Sequence, residues 1–258
     1  MGMIDFAAAS DQATPGLVRS RLGDWNLRGG AGATGRANST TAHGDPGIAI
    51  GEAVDRVEAF YEQRDVPATF QVWDETPAAV IAELDQRTYT QEPTTEVMAA
   101  PLDAVLGRLS HPRLAVRVDD TVPEAFARSL AAERLREVTN TGLRARFGVA
   151  FDRETDLGVG MAVLDPPLVG LFSIKTLADR QGQGAGGAVV RALLDGLAGE
   201  HCHTVWLQVE TDNTRALGWY QRLGFTTRTR YRYRTSRFTS GSPSGRGQDT
   251  AAEPDSES

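Results

Sequence analysis

The chain has 258 residues, which at roughly 150 residues per domain suggests about two domains, and its 27 basic and 34 acidic residues leave a net charge of −7. That sign argues against a protein that holds nucleic acid by neutralising phosphates. The one cysteine, Cys202, excludes an internal disulfide framework and a multi-cysteine zinc site, and no apolar run approaches the roughly 20 residues of a membrane-spanning helix. The opening MGMIDFAAASDQATPG lacks a basic stretch followed by an apolar one, so no secretion signal is read and a cytoplasmic protein is expected. Residues 1–23 show no clear element. From Trp25 the pattern predicts two strands, the second over Arg36–Thr41, joined by the glycine-rich turn 28–32. Ile50, Val54, Val57 and Tyr61 then form a helical stripe. Thr69–Trp73 is a short apolar strand, Pro77 opens a helix carrying Val80, Ile81 and Leu84, and Thr95–Met98 closes this first unit, 24–110.

His111-Pro112-Arg113 reads as a junction into a second unit, 111–239. Leu114–Val118 alternates as a strand, and Pro123 starts a helix extending to Val138. Leu143–Phe151, Gly158–Leu164 and Val169–Thr176 are strands. A glycine-rich loop and a helix, Gly186–Leu197, precede the strand Thr204–Glu210. A helix over 214–223 and the strand Thr226–Arg234 complete the unit. The tail 240–258 is rich in Ser, Gly and Pro, lacks aromatic and branched aliphatic residues, and is expected to be disordered. It contributes −3 of the charge, with Arg246 set against Asp249, Glu253, Asp255 and Glu257.

The two units share an order of helix, short strand, helix and aromatic strand start. Phe70-Gln71-Val72 parallels Leu207-Gln208-Val209, and Tyr89 parallels Phe225. The copies differ where chemistry would sit. Only the second has a dense glycine loop before its helix, and Tyr220 of the second corresponds to Leu84 of the first. That loop, Arg180-Gln181-Gly182-Gln183-Gly184-Ala185-Gly186-Gly187, lies between an apolar strand and an amphipathic helix. Such glycines let backbone N–H groups curl around a phosphate at the positive end of a helix. No Lys-Ser/Thr follows, which excludes a Walker A loop. Gly182, Gly184 and Gly187 satisfy a dinucleotide fingerprint, but the loop does not follow a first strand as a Rossmann half requires.

The segment Gln181–Gly186 resembles the Q/R-x-x-G-x-G/A loop of the GCN5-related N-acetyltransferase (GNAT) superfamily. Asn213-Thr214-Arg215-Ala216-Leu217-Gly218-Trp219-Tyr220-Gln221-Arg222-Leu223-Gly224-Phe225 is similar to that family's N-x-x-A-x-x-x-Y-x-x-x-G-F motif, 32 residues downstream of Gln181. Trp25–Arg28 with Arg36–Ser39 resembles the amino-terminal half of tandem GNAT proteins. The resemblance implies an α/β (α+β) fold of two GNAT-like domains, each a mixed, mostly antiparallel sheet flanked by helices, the first degenerate. It implies acetyl-CoA as cosubstrate, with backbone groups of Ile174, Lys175 and Thr176 for pantetheine. Amides of Gln181, Gly182, Gln183, Gly184, Ala185 and Gly186 would hold the pyrophosphate, and Asn213 would touch the pantetheine arm as well as cap its helix. A backbone N–H within 173–175 would polarise the thioester carbonyl.

Tyr220 matches the family's tyrosine that protonates the departing thiolate, a task suited to a phenol of pKa near 10; on spacing alone it reads equally as a core aromatic. Glu210 and Asp212, at the end of a strand, are the candidate bases, with Glu210 taken for the role; either also reads as a solvated loop charge. Arg228, Arg230, Arg232 and Arg234 recur with period 2, which suits ion pairs or attraction of an anion. His201-Cys202-His203 alternates across a strand and is not read as a metal site. The expected protein is an N-acetyltransferase that moves acetyl to a primary amine of a small molecule or peptide by direct attack, without an acyl-enzyme. It would use no metal, nucleic acid or membrane, and would be a monomer or homodimer. The alternative is a non-catalytic acyl-CoA-binding regulatory or interaction module.

Overall fold

The computed structural model describes residues 4–110, 114–177 and 183–237. The expected junction at 111–113, Gln181 and Gly182 of the glycine loop, and the tail lie outside the described residues. The amino-terminal half begins with α1 (Phe6–Ala13), capped by the Asp5 carboxylate, which accepts from the Ala8 amide at 2.9 Å. It continues through β1 (Val18–Leu22), β2 (Trp25–Gly29), a 3-10 turn (Gly35–Ala37) and β3 (Thr40–Thr41). The stripe at 50, 54, 57 and 61 forms α2 (Ile50–Glu62), whose Val54, Val57 and Tyr61 are fully buried. β4 (Thr69–Trp73), α3 (Ala78–Gln86), β5 (Thr90–Pro101) and α4 (Leu102–Arg108) follow. Of the segment 1–23, the described residues 4–23 are structured: Phe6, Ala7, Ala9 and Ala13 are buried, and β1 pairs with β2 along its whole length.

The second half runs β6 (Ala115–Asp119), α5 (Glu124–Arg128), α6 (Ala132–Thr139), β7 (Arg144–Asp152), β8 (Thr155–Asp165) and β9 (Leu168–Thr176). α7 (Ala185–Leu194), β10 (Thr204–Glu210), α8 (Thr214–Arg222) and β11 (Thr226–Thr235) complete it. The single helix expected from Pro123 to Val138 is two. At the break the Ser129 amide donates to the Phe126 carbonyl at 3.1 Å, and its hydroxyl donates to the same oxygen at 2.7 Å, a local side-chain bond that competes with helix continuation.

All eleven strands join in one sheet of order β1-β2-β3-β4-β11-β5-β10-β9-β8-β7-β6. The pairs β3–β4 and β9–β10 are parallel and the others antiparallel. The order is symmetric about the line between β5 and β11, except that β6 has no counterpart. Each half lends its last strand to the other: β11 lies between β4 and β5, and β5 lies between β10 and β11. The exchange is reciprocal in detail. The Ser236 amide donates to the Ala68 carbonyl ahead of β4, as Leu102 donates to His203 ahead of β10. At the helix ends, Tyr89 donates to the Leu84 carbonyl and Phe225 to Tyr220, both at 3.1 Å, so Leu84 and Tyr220 occupy equivalent positions.

Core residues line both faces of the sheet. α7 and α8 pack with Val205, Leu207 and Val209 of β10 on one side. α1 and α5 pack with Trp206, Phe172, Tyr231 and Trp73 on the other. The amino-terminal half builds its own cluster from α2, α3 and β4. Among the described residues, no helix is long and apolar enough to cross a membrane. Because each half fills the gap in the other's sheet, residues 1–110 and 111–258 produced separately are expected to show no cooperative thermal unfolding, and mixing them should restore it. A fragment that melts cooperatively alone would contradict the exchange.

Candidate active site

β9 and β10 run together only from Leu168↔Thr204 to Leu171↔Leu207. Beyond that, β10 stays with β5 through Glu210↔Thr95, while β9 stays with β8 through Thr176↔Gly158. The cause of the parting is a bulge. Between the pairs Met161↔Phe172 and Val159↔Lys175, Ser173 and Ile174 oppose the single residue Gly160. Ser173 takes a left-handed φ of +49° there, uncommon for a residue with a Cβ. Gly160 is required by packing, since a Cβ on it would stand 2.5 Å from Ile174 Cδ1 and 2.7 Å from Val189 Cγ1. The edge of β9 over Ile174, Lys175 and Thr176 therefore faces a cleft with no strand paired to it.

The first turn of α7 closes one end of this cleft. Gly184 sits at its N-cap with φ +81°, and the first helical bond is from the Ala188 amide to the Gly184 carbonyl. The amides of Ala185, Gly186 and Gly187 thus lack intrahelical partners, at the positive end of the helix dipole. Among the described residues, a Cβ on Gly184 would meet nothing within 4 Å. A Cβ on Gly186 would lie 3.8 Å from both Thr176 Oγ1 and the Trp219 ring, which puts β9 and α8 on either side of the turn. The expected phosphate-holding residues Gln183, Gly184, Ala185 and Gly186 are brought to the expected edge residues 174–176.

α8 forms the far wall. Asn213 is its N-cap, with the side-chain oxygen accepting from the Ala216 amide at 3.1 Å. Tyr220 is 8 % exposed and packs against Trp219 and Phe225, with ring centroids 4.8 and 5.6 Å away. Burial alone pushes its phenol above the ordinary range, so it stays protonated at any physiological pH. Glu210 ends β10 and is exposed, as is Asp212 in the loop after it. Trp206, Gln208 and Glu210 share the face opposite α7 and α8. Two of the four expected arginines of β11 take structural partners: Arg230 pairs with Glu96 at 3.3 Å and Arg234 with Asp85 at 2.5 Å.

On Glu210's side lies a cluster that pattern reading did not single out. Arg36 Nε donates to Gln208 Oε1 at 2.7 Å, and the Tyr231 hydroxyl donates to the same oxygen at 2.7 Å. Gln208 was visible only as a repeat position and Arg36 only as part of a strand, because nothing in their spacing says that they meet.

The groups an acyl-CoA needs fit this cleft: an open strand edge for the amides of its arm, free helix-end amides for its phosphates and a neutral phenol on the facing helix. A large, mostly antiparallel sheet that parts beside a glycine-led helix defines a GNAT-type protein. Residues 3–234 match the family described as "Probable histone acetyltransferase Rv0428c C-terminal", and the chain belongs to that family and is an acetyltransferase. It is 24 % identical over 247 residues to YobR of Bacillus subtilis, described as an uncharacterized N-acetyltransferase, covering 90 % of this chain and 96 % of YobR. Among solved structures, a GCN5-related N-acetyltransferase from Kribbella flavida superposes with a TM-score of 0.66 at 12 % identity, over 90 % of this chain and 94 % of that one. A tandem GNAT protein of the clavulanic acid biosynthesis pathway gives 0.58 at 15 % identity, over 72 % and 68 %.

The packing around the bulge carries a direct test. Gly160→Ala should destabilise the protein by about 1–3 kcal/mol in urea denaturation through overpacking. Gly142→Ala, where a Cβ meets nothing within 4 Å, should change stability little. Equal effects would remove Ile174 and Val189 as the reason for the glycine.

Proposed function

We propose that the protein is an acetyl-CoA-dependent N-acetyltransferase whose carboxy-terminal half performs the chemistry on a primary amine of a small molecule or peptide. We take it to act in the cytoplasm, as a monomer or homodimer. The observation that carries the reading is the parting of β9 from β10 beside the free amides of α7. The amino-terminal half lacks the groups that equip this opening. There β3 meets β4 at the single pair Thr40↔Phe70, α2 starts without a glycine loop, and Leu84 stands in place of Tyr220. The two halves are accordingly read as unequal copies, one a scaffold.

Acetyl-CoA supplies the thioester. The β9 edge at 174–176 aligns the arm as an added strand would, and an N–H of the 173–175 segment polarises the acyl carbonyl. Glu210, directly or through water, removes the proton that an ammonium acceptor must lose before attack. The amine nitrogen then bonds to the carbonyl carbon as the carbon–sulfur bond breaks, Tyr220 gives its proton to the sulfur, and the surplus proton of the new amide nitrogen passes through water to restore the phenol. Burial suits Tyr220 to that step by keeping it neutral. Cys202 is buried against the Leu168 carbonyl and takes no part, so no acyl-enzyme forms.

Calorimetry with acetyl-CoA tests the site. Gly184→Glu places a carboxylate before the α7 amides and should abolish binding. Gly196→Glu, at the same φ of +81° with equal free space, controls for backbone strain and should bind normally. Tyr220→Phe should lower kcat by about 10²-fold with unchanged acetyl-CoA affinity. Tight binding without thiol release across amino acids, polyamines, aminoglycosides and peptides would instead favour a non-catalytic acyl-CoA-binding module.

A further inference from the structure

The cluster on the face of Glu210 is built from both halves. Gln208 is the first residue of β10 past its last pairing with β9, so it stands at the mouth of the cleft. Its amide nitrogen donates to Ser10 Oγ of α1 at 2.9 Å, and its oxygen takes Arg36 and Tyr231. Arg36 comes from the 3-10 turn that follows the loop 30–34, and the carboxy-terminal half grips that loop. Glu137 of α6, fully buried, accepts from the amides of Ala31 at 2.7 Å and Thr34 at 2.8 Å and from Asn38 Nδ2 at 2.9 Å. A Cβ on Gly30 would stand 2.7 Å from that carboxylate, so the loop closes on Glu137 with no room to spare. Arg36 is thereby fixed over β10.

Its guanidinium has no carboxylate within ion-pair distance among the described residues; it is bonded to the neutral Gln208 and lies against the Tyr231 hydroxyl. Burial works to lower its pKa, but the pull of Tyr231, Tyr233 and Glu210 raises it overall, so the cation persists. Arg36 is half-buried, and a cation partly withdrawn from water without a counter-ion carries a cost. With Nε bound to Gln208, the end-on fork of the two Nη groups matches the geometry of a carboxylate. Glu210 lies two residues along the same face and presents the opposite charge. One cation beside one anion complements an ammonium and a carboxylate on the same small molecule better than a phosphate dianion.

We propose that Arg36 is a specificity-determining residue that binds the carboxylate of an acceptor of amino-acid type, while Glu210 faces the acceptor's amine. The proposal rests on the reading of the cleft as an acetyl-transfer site. N-acetylalanine and N-acetylphenylalanine, with the carboxamide of each, are product-like probes that differ only at the group in question. In calorimetric titrations of the full chain, with and without CoA, the acids should bind about tenfold or more tighter than the carboxamides. Arg36→Gln should erase that preference, and Arg36→Lys should keep part of it. Acids binding no better than carboxamides to the native chain, or a preference that survives in Arg36→Gln, would overturn the proposal. The comparison on the native chain decides the matter should the variants fail to fold. Acetyl-CoA titrated on the same sample separates the two readings: binding without acid preference removes only the role of Arg36, and absent binding removes the acyl-CoA cleft.

Discussion

The ladder between β5 and β11 sits at the centre of the sheet, and the site depends on it. Val97 faces Thr229, Glu96 faces Arg230, and Thr95 faces Tyr231, with Glu96 also accepting from the Thr227 hydroxyl at 2.6 Å. This ladder splices two half-sheets into one and puts a strand of the first half along the outer side of β10. β10 therefore keeps a partner over its whole length when β9 leaves it. The cleft opens without unpairing both of its walls, and buried backbone groups that would be costly to leave unmade remain bonded on β10. The same splice carries Tyr231 to Gln208 and so sets the polar end of the cleft.

The halves use related positions in opposite ways. At Gln208 the amide holds Arg36, a cation with no ion pair among the described residues. At the equivalent Gln71 the amide oxygen accepts from Arg28 at 2.7 Å, and Arg28 is ion-paired with Asp11 at 2.8 Å and bonded to Ser39 and Thr41. Both members of that pair are almost fully buried, and removing one partner of such a pair typically costs about 3–5 kcal/mol. A closed network consolidates the first half, whereas at the corresponding place in the second Arg36 is bonded to Gln208 with no ion pair among the described residues. On the proposed reading the first half is a scaffold, and it contributes Arg36 to the half that would perform the chemistry.

The amphipathic stripe of α2, the apolar run of β4 and the two GNAT-like motifs were legible because each is a local pattern. α1 was not, since FAAASDQA has small residues and one aromatic, and its place in the core comes from Phe6 against Trp206 across the fold. β1 was equally silent: its residues are mostly exposed, and only the pairing with β2 makes it a strand. The expected helix from Pro123 broke at Ser129 because a hydroxyl's hydrogen bond outweighed a continuous apolar pattern. In the site, glycine spacing pointed to α7 and the edge at 174–176. The exchange of strands and the meeting of Arg36 with Gln208, 172 residues apart, depend on partners that no local pattern names.

The central claim is a single acyl-CoA cleft, formed where β9 parts from β10 and absent from the amino-terminal half. Amide hydrogen exchange with and without CoA tests it most directly. Protection should rise at Ile174–Thr176 and Gln183–Gly187 and stay unchanged over residues 40–50, the matching region of the first half. Equal protection in both halves, or none at the β9 edge, would contradict the account.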